Sequence, residues 1–350
     1  MSHEPGAGQL AEQIAGEPTA APTFGRLLAT EYRRLLSRRF VQAVAVLALV
    51  GFGVAVFAIF SRHDRLSPSE LASATTKRDQ QIAEIQQSIQ QCSQGLSADR
   101  AAQQCGTAPT PQDFPIDQFL SVHPLQPGQV SDYALAIGAA TAMLGFVIGA
   151  TFIGAEWSSK NLVLWLFWEP RRLRLLAAKL LALLSVMLAS ALLAQLVWLA
   201  IAPTLLHYRG VPVSSLGPQA KYFWRHVLDG QARGVLLVIP TTLLGFGMAS
   251  LIRNTAAAFG IGFVYFAVVE NLIRAVNRDW QPYLFTTNLG AWVSNNGLTV
   301  FGKEVFDRQR GYVTARPIHL SNLHGAVALM IYSGVVLIAA LIVFRRRDIS

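Results

Sequence analysis

Gly154-Ala155-Glu156-Trp157-Ser158-Ser159-Lys160-Asn161-Leu162-Val163-Leu164-Trp165-Leu166-Phe167-Trp168-Glu169-Pro170-Arg171-Arg172-Leu173-Arg174-Leu175-Leu176-Ala177-Ala178-Lys179 decides how this chain folds. Charges and aromatic rings crowd its centre, while residues 133–155 before it and 180–202 behind it are almost free of charge. About 20 apolar residues in a helix cover the hydrocarbon core of a bilayer, and each flank has that length. A short charged connector between two such helices must lie at one membrane face, because its polar backbone and side chains cannot be left in lipid.

Working outward, stretches 40–60, 173–201, 234–252, 256–273 and 323–344 repeat the pattern, giving six spans with 133–155. Composition agrees: 52% of residues are apolar, 14% are charged and the mean hydropathy is +0.38, which is membrane rather than soluble composition. The expected fold is an all-α membrane protein with six transmembrane helices, an N-terminal amphipathic surface helix and two large outer segments. The layout runs as a tail over 1–22, a surface helix over 23–39, and spans over 40–60, 131–155, 173–202, 233–252, 256–273 and 323–344. Outer segments cover 61–130, 203–232 and 274–322; an inner connector covers 156–172, and an inner tail 345–350.

The net charge of +9 would suggest nucleic acid for a soluble protein. Here Arg33, Arg34, Arg38 and Arg39 precede the first span, Arg171, Arg172 and Arg174 flank the connector, and Arg345, Arg346 and Arg347 follow the last. The positive-inside rule gathers all three clusters in the cytoplasm. An even span count agrees, so both termini are expected inside, in a plasma-membrane protein. Much of the basic excess then touches anionic lipid, and no nucleic-acid partner is needed.

The tail over 1–22 lacks an apolar period and reads as disordered, and no cleavable leader is expected ahead of the first span. Phe24, Leu27, Leu28, Leu35 and Leu36 return at helical spacing, as in a helix lying in the membrane surface. Residues 77–91 form a helix with Ile82, Ile85 and Ile89 on one stripe. Cys92 and Cys105, 13 apart in an outer segment, suggest a disulfide, with two free thiols as the alternative. Gly145 and Gly149 form the small-residue spacing that lets helices approach closely in lipid, within one chain or between copies. Glu270, near the outer end of the fifth span, is an ionisable residue where charge is costly; a local pair with Arg274, four residues on, is the plainer reading.

Catalytic signatures are missing. There is no His-Glu-x-x-His, no Gly-x-Ser-x-Gly and no metal-ligand spacing among the seven histidines. Gly297 to Glu304 approaches a phosphate-binding loop but has Glu304 where a hydroxyl should follow Lys303. The chain thus offers no energy source, is not expected to be an enzyme, and binds no cofactor or metal of its own.

Several motifs together resemble the ABC-2 type permeases, the membrane subunits of ABC exporters. They are Gly154-Ala155-Glu156, the apolar run 162–167, Glu169-Pro170-Arg171-Arg172, Ala178-Lys179 and the Phe344-Arg345-Arg346-Arg347-Asp348-Ile349 ending. The Trp168-Glu169-Pro170-Arg171-Arg172 form is similar to actinobacterial members, though Lys160-Asn161 stand where the family usually has Gly. The resemblance implies a second permease copy or homologue as partner, and a cytosolic ATPase subunit that binds ATP and Mg. It also implies a coupling helix in the connector. In that role Leu162, Leu164, Trp165 and Trp168 would bury against the ATPase, while Glu156, Trp157, Lys160, Arg171 and Arg172 would complete and orient the contact. A secondary transporter and a non-transporting scaffold are the alternatives, the first expected to show more ionisable groups at mid-membrane.

Overall fold

The computed structural model describes residues 23–95, 104–159, 172–307 and 312–346. The chain is mostly helical, and six helices are long and apolar enough to cross a membrane: Arg39–Arg62, Pro127–Ser158, Leu173–Arg209, Leu216–Ile252, Thr255–Val276 and Asn322–Arg346. The elements are α1 (Phe24–Ser37), α2 (Arg39–Arg62), α3 (Pro68–Ser93), α4 (Pro127–Ser158), α5 (Arg172–Arg209), α6 (Phe223–Ile252), α7 (Thr255–Val264), α8 (Glu270–Val276), α9 (Phe285–Val293), β1 (Leu298–Asp307), β2 (Tyr312–Leu320) and α10 (Asn322–Arg346). A wide turn, Tyr265–Val269, joins α7 to α8 without breaking the span.

The chain divides into two compact units. The first holds residues 1–43, 139–191 and 235–350, the second 44–138 and 192–234, so α2, α4, α5 and α6 contribute to both. In the first unit, α1 exists because Leu27 and Leu35 recur on one buried stripe, with Leu27 packed on Leu175 and Ala178 of α5. Arg38 has extended backbone angles and ends α1; this corner turns the chain into α2. Most of α2 is exposed, including Val46, Leu47, Val50, Val54 and Phe57. Lipid is the natural solvent for such a surface, since apolar patches of this size are rare in water.

In the second unit, Ile59, Leu125, Val130, Ala134, Trp198, Leu205 and Phe223 make one cluster. The Trp198 indole donates to the Val130 carbonyl at 3.2 Å. Gln195 donates to Ala134 O at 2.8 Å and Gln231 to Gln195 O at 3.1 Å, so these buried amides bind helix backbones across the packing seam. Gly138 and Gly234 make that seam tight: a Cβ on Gly138 would sit 2.6 Å from the Gly234 Cα.

Several bounds differ from the sequence expectation for physical reasons. α3 begins at Pro68, nine residues earlier than expected, because Ser67 accepts from the Glu70 amide and Pro68 occupies the first turn. That is a capping arrangement, which proline at the first position favours. α5 continues through Pro203 to Arg209, and α6 starts at Phe223, so little of 203–232 is loop. The segment 274–322 holds α9 and an antiparallel hairpin, with Leu298 opposite Leu320 and an irregularity between Phe301 and Glu304. The all-α expectation therefore omits one β-hairpin. Gly297 opens it at φ +75° and leads into a strand, not the helix a phosphate loop requires. Cys92 and Cys105 are joined as a disulfide, Cα atoms 5.8 Å apart.

Candidate functional site

In the first unit, four charged side chains from three segments meet where α4 ends and α5 begins. Lys179 of α5 is fully buried, its Nζ 2.7 Å from Glu31 Oε2 and 2.8 Å from Glu156 Oε2. Glu31 is fully buried and Glu156 nearly so. Arg38 reaches Glu156 Oε1 at 2.5 Å and donates to the Phe152 carbonyl at 2.9 Å. Arg34 adds a longer contact to Glu31 at 3.3 Å. The Phe152 ring floors the cluster, 4.6 Å from the Arg38 guanidinium carbon and 5.2 Å from Lys179 Nζ, where a π face favours a cation.

The local structure explains how these groups arrive. Glu31 falls between Leu27 and Leu35 at intervals of four, so the same helical stripe that buries the leucines buries the carboxylate. Lys179 sits one residue after Ala178 in the apolar face of α5. The corner at Arg38 aims its side chain toward the last turns of α4. Tyr32 and Ser185, hydroxyls 2.5 Å apart, fix α1 to α5 further along α5. Burying each charge alone would cost several kcal/mol, so the cluster exists only as a mutually neutralising set. Desolvation pulls the Arg38 guanidinium below its ordinary value, while Glu156 pushes it back up; an arginine remains charged through such changes.

Within this chain Glu156 is nearly fully buried and links α4 to α1 and α5 through Arg38 and Lys179. Trp157 is also engaged within the chain, its ring 5.8 Å from Phe344 and 4.3 Å from the Arg253 guanidinium carbon. Lys160, Leu162, Leu164, Trp165, Trp168 and Arg171, expected to form the coupling surface, lie outside the described residues, as does the side chain of Arg172. Sequence reading did not place Glu31, Arg38 or Lys179 in a site. The signal was present: a carboxylate on the leucine stripe of α1 and an ammonium inside an apolar helix each demand an opposite charge.

Gly145 and Gly149 face α6 of the same chain. A Cβ on Gly149 would lie 2.8 Å from the Thr242 carbonyl oxygen, and one on Gly145 would collide with the Thr242 hydroxyl. Their role is close packing within this chain.

Glu270, fully buried, pairs with Arg274 at 3.3 Å. Its carboxylate also accepts from the Thr286 amide at 3.2 Å and from the Thr286 hydroxyl. α9 begins at Phe285 after Leu284, which has no capping side chain. Glu270 thus supplies from another helix the acceptor and negative charge that a helix N-terminus needs. At the other end, Asn322 donates to the carbonyls of Ala291, Trp292 and Ser294 at 2.8, 3.1 and 2.6 Å. Both polar residues close the ends of one short helix. Among the described residues no group of three or more His, Cys, Asp or Glu converges as a metal site.

These six helices and their exposed apolar faces define a multi-pass, membrane-embedded protein. Comparison of the chain with family models, curated proteins and solved structures finds no match.

Proposed function

We propose that the chain is the transmembrane subunit of an ATP-driven exporter of the ABC-2 permease kind. In this reading it sits in the plasma membrane with both termini cytoplasmic and pairs with a second copy or homologue. A separate ATPase subunit, which holds ATP and Mg, docks against the connector between α4 and α5. The connector's motifs suggest the family. The buried Glu31–Lys179–Glu156 junction is the observation that carries the mechanism. It ties the last turn of α4 and the first turns of α5, the two roots of the connector, to surface helix α1. Force applied to the connector is then delivered to three elements at once rather than dissipated by bending one helix, as rigid-body switching requires.

Trp165 is the hot-spot residue in this reading, since a buried aromatic anchor commonly contributes ~2 kcal/mol or more to an interface. Trp165→Ala is expected to lower capture of the ATPase by tagged permease at least tenfold while insertion and yield stay at the parent level. Equal capture by both proteins would remove the coupling role. So would labelling of a cysteine at position 165 by an impermeant reagent added outside intact cells.

A further inference from the structure

Beside the ion cluster, the start of α2, the last turns of α4 and the first turn of α7 line a half-open cavity of about 560 Å³. Three span ends converge here: α2 begins at Arg39, α4 ends at Ser158 and α7 begins at Thr255. That is headgroup level for a protein of this hydrophobic length. Arg38, Arg39, Phe40, Val41, Phe152 and the carboxylate residue Glu156, which Arg38 and Lys179 neutralise, are among the lining residues.

Arg38 and Lys179 already meet the two carboxylates Glu31 and Glu156, so Arg39 is a cation beyond that balanced set. Arg39 is exposed, with no ion-pair partner among the described residues. Arg38 uses one donor on Phe152 O and another on Glu156, out of the five a guanidinium carries. The first turn of α7 opens on the same space at Thr255, and Asn254 caps only the Ala257 amide; a helix N-terminus adds positive potential. The walls are apolar at Phe40, Val41, Phe152 and Ala155, which a bare inorganic ion would leave in contact with water at a cost.

We infer that this cavity binds an anionic phospholipid of the bilayer, its phosphate between Arg39 and Arg38 and its upper acyl chains against Phe40, Val41 and Phe152. A zwitterionic headgroup also carries a phosphate but brings a cation of its own to a pocket already lined by Arg38 and Arg39, and a free phosphate leaves the apolar wall uncovered. This inference does not depend on the export reading. The bound lipid would cover the corner at Arg38 that joins surface helix to span.

The test uses the full chain, purified in detergent after exposure to equal amounts of phosphatidylglycerol and phosphatidylcholine and read by native mass spectrometry. The parent is expected to retain a single phosphatidylglycerol in preference to phosphatidylcholine. Arg39→Gln is expected to lower that retention about tenfold, as loss of one charge-assisted phosphate contact does. Ala155→Leu, which puts a bulkier side chain into the cavity wall and keeps every charge, is also expected to lower retention. Arg33→Gln removes an equal charge from an exposed position of α1 and is expected to retain lipid like the parent. Equal retention of the two lipids, equal loss in Arg33→Gln and Arg39→Gln, or full retention by Ala155→Leu would each overturn the site. Displacement of the lipid by millimolar inorganic phosphate would show a free-anion site instead.

Discussion

Replacing Lys179 by Met preserves side-chain length and apolar packing but removes the only ammonium between two buried carboxylates. Among the described residues Glu31 then keeps Arg34 at 3.3 Å, and Glu156 keeps Arg38 at 2.5 Å. Breaking a buried pair by deleting one partner typically costs about 3–5 kcal/mol, because the deserted charge stays out of water. Both carboxylates lose a contact shorter than 3 Å, so the expected destabilisation of Lys179→Met lies in that range. Unfolding in mixed micelles, followed by fluorescence of the seven tryptophans, gives the number. A companion variant, Glu31→Gln with Glu156→Gln and Lys179→Met, removes all three buried charges and is expected within about 2 kcal/mol of the parent, since neutralising a whole buried set is often nearly neutral. Arg38, about a quarter exposed, can turn to water in that background. If Lys179→Met unfolds within about 1 kcal/mol of the parent, or the triple variant is weaker than the single one, the charge-compensation argument fails.

Gly149→Ala places a methyl 2.8 Å from the Thr242 carbonyl oxygen and is expected to cost about 1–3 kcal/mol in the same micelle assay. Gly260→Ala, with open space around it, is expected to change little. Cys92→Ser opens the 13-residue link; the chain-entropy model gives such a loop about 3 kcal/mol, read as faster trypsin cleavage after Arg78 in α3. Ser121 donates its amide at 2.9 Å and its hydroxyl to Glu70, holding that carboxyl below its ordinary value. The resulting stabilisation is complete above the ordinary glutamate value of about 4.3 and is lost as pH falls through the lower folded value. Exchange of the Ser121 amide, corrected for intrinsic pH dependence, should therefore accelerate only in acid, and Glu70→Gln should remove that dependence.

The six spans were legible because burial in lipid leaves a one-dimensional trace: each helix needs a continuous apolar run, and the described residues contain six. The α1 surface helix was legible for a related reason, its leucines repeating at helical spacing. The start of α3 was also written locally, in Ser67-Pro68-Ser69-Glu70, though its capping logic is easily overlooked beside the stronger Ile82, Ile85, Ile89 stripe.

Other features could be decided only by tertiary structure. Glu270 next to Arg274 reads as a self-contained helical pair, yet its carboxylate also caps α9, 16 residues away. Gly145 and Gly149 fit packing within a chain or between chains equally well by spacing, and only the position of Thr242 settles which helix they face. Glu156 looks like part of an exposed charged connector, whereas Lys179 and Arg38 draw it inside. The reason is common to all three. Apolar periodicity is set by neighbours along one helix, but the partner of a buried charge or a glycine lies on another helix, at a sequence distance no local pattern encodes. A carboxylate on the leucine stripe of α1 and an ammonium inside the apolar α5 each need an opposite charge by their local pattern alone; only the packing of α1, α4 and α5 brings Glu31 and Lys179 together and adds Glu156 to them.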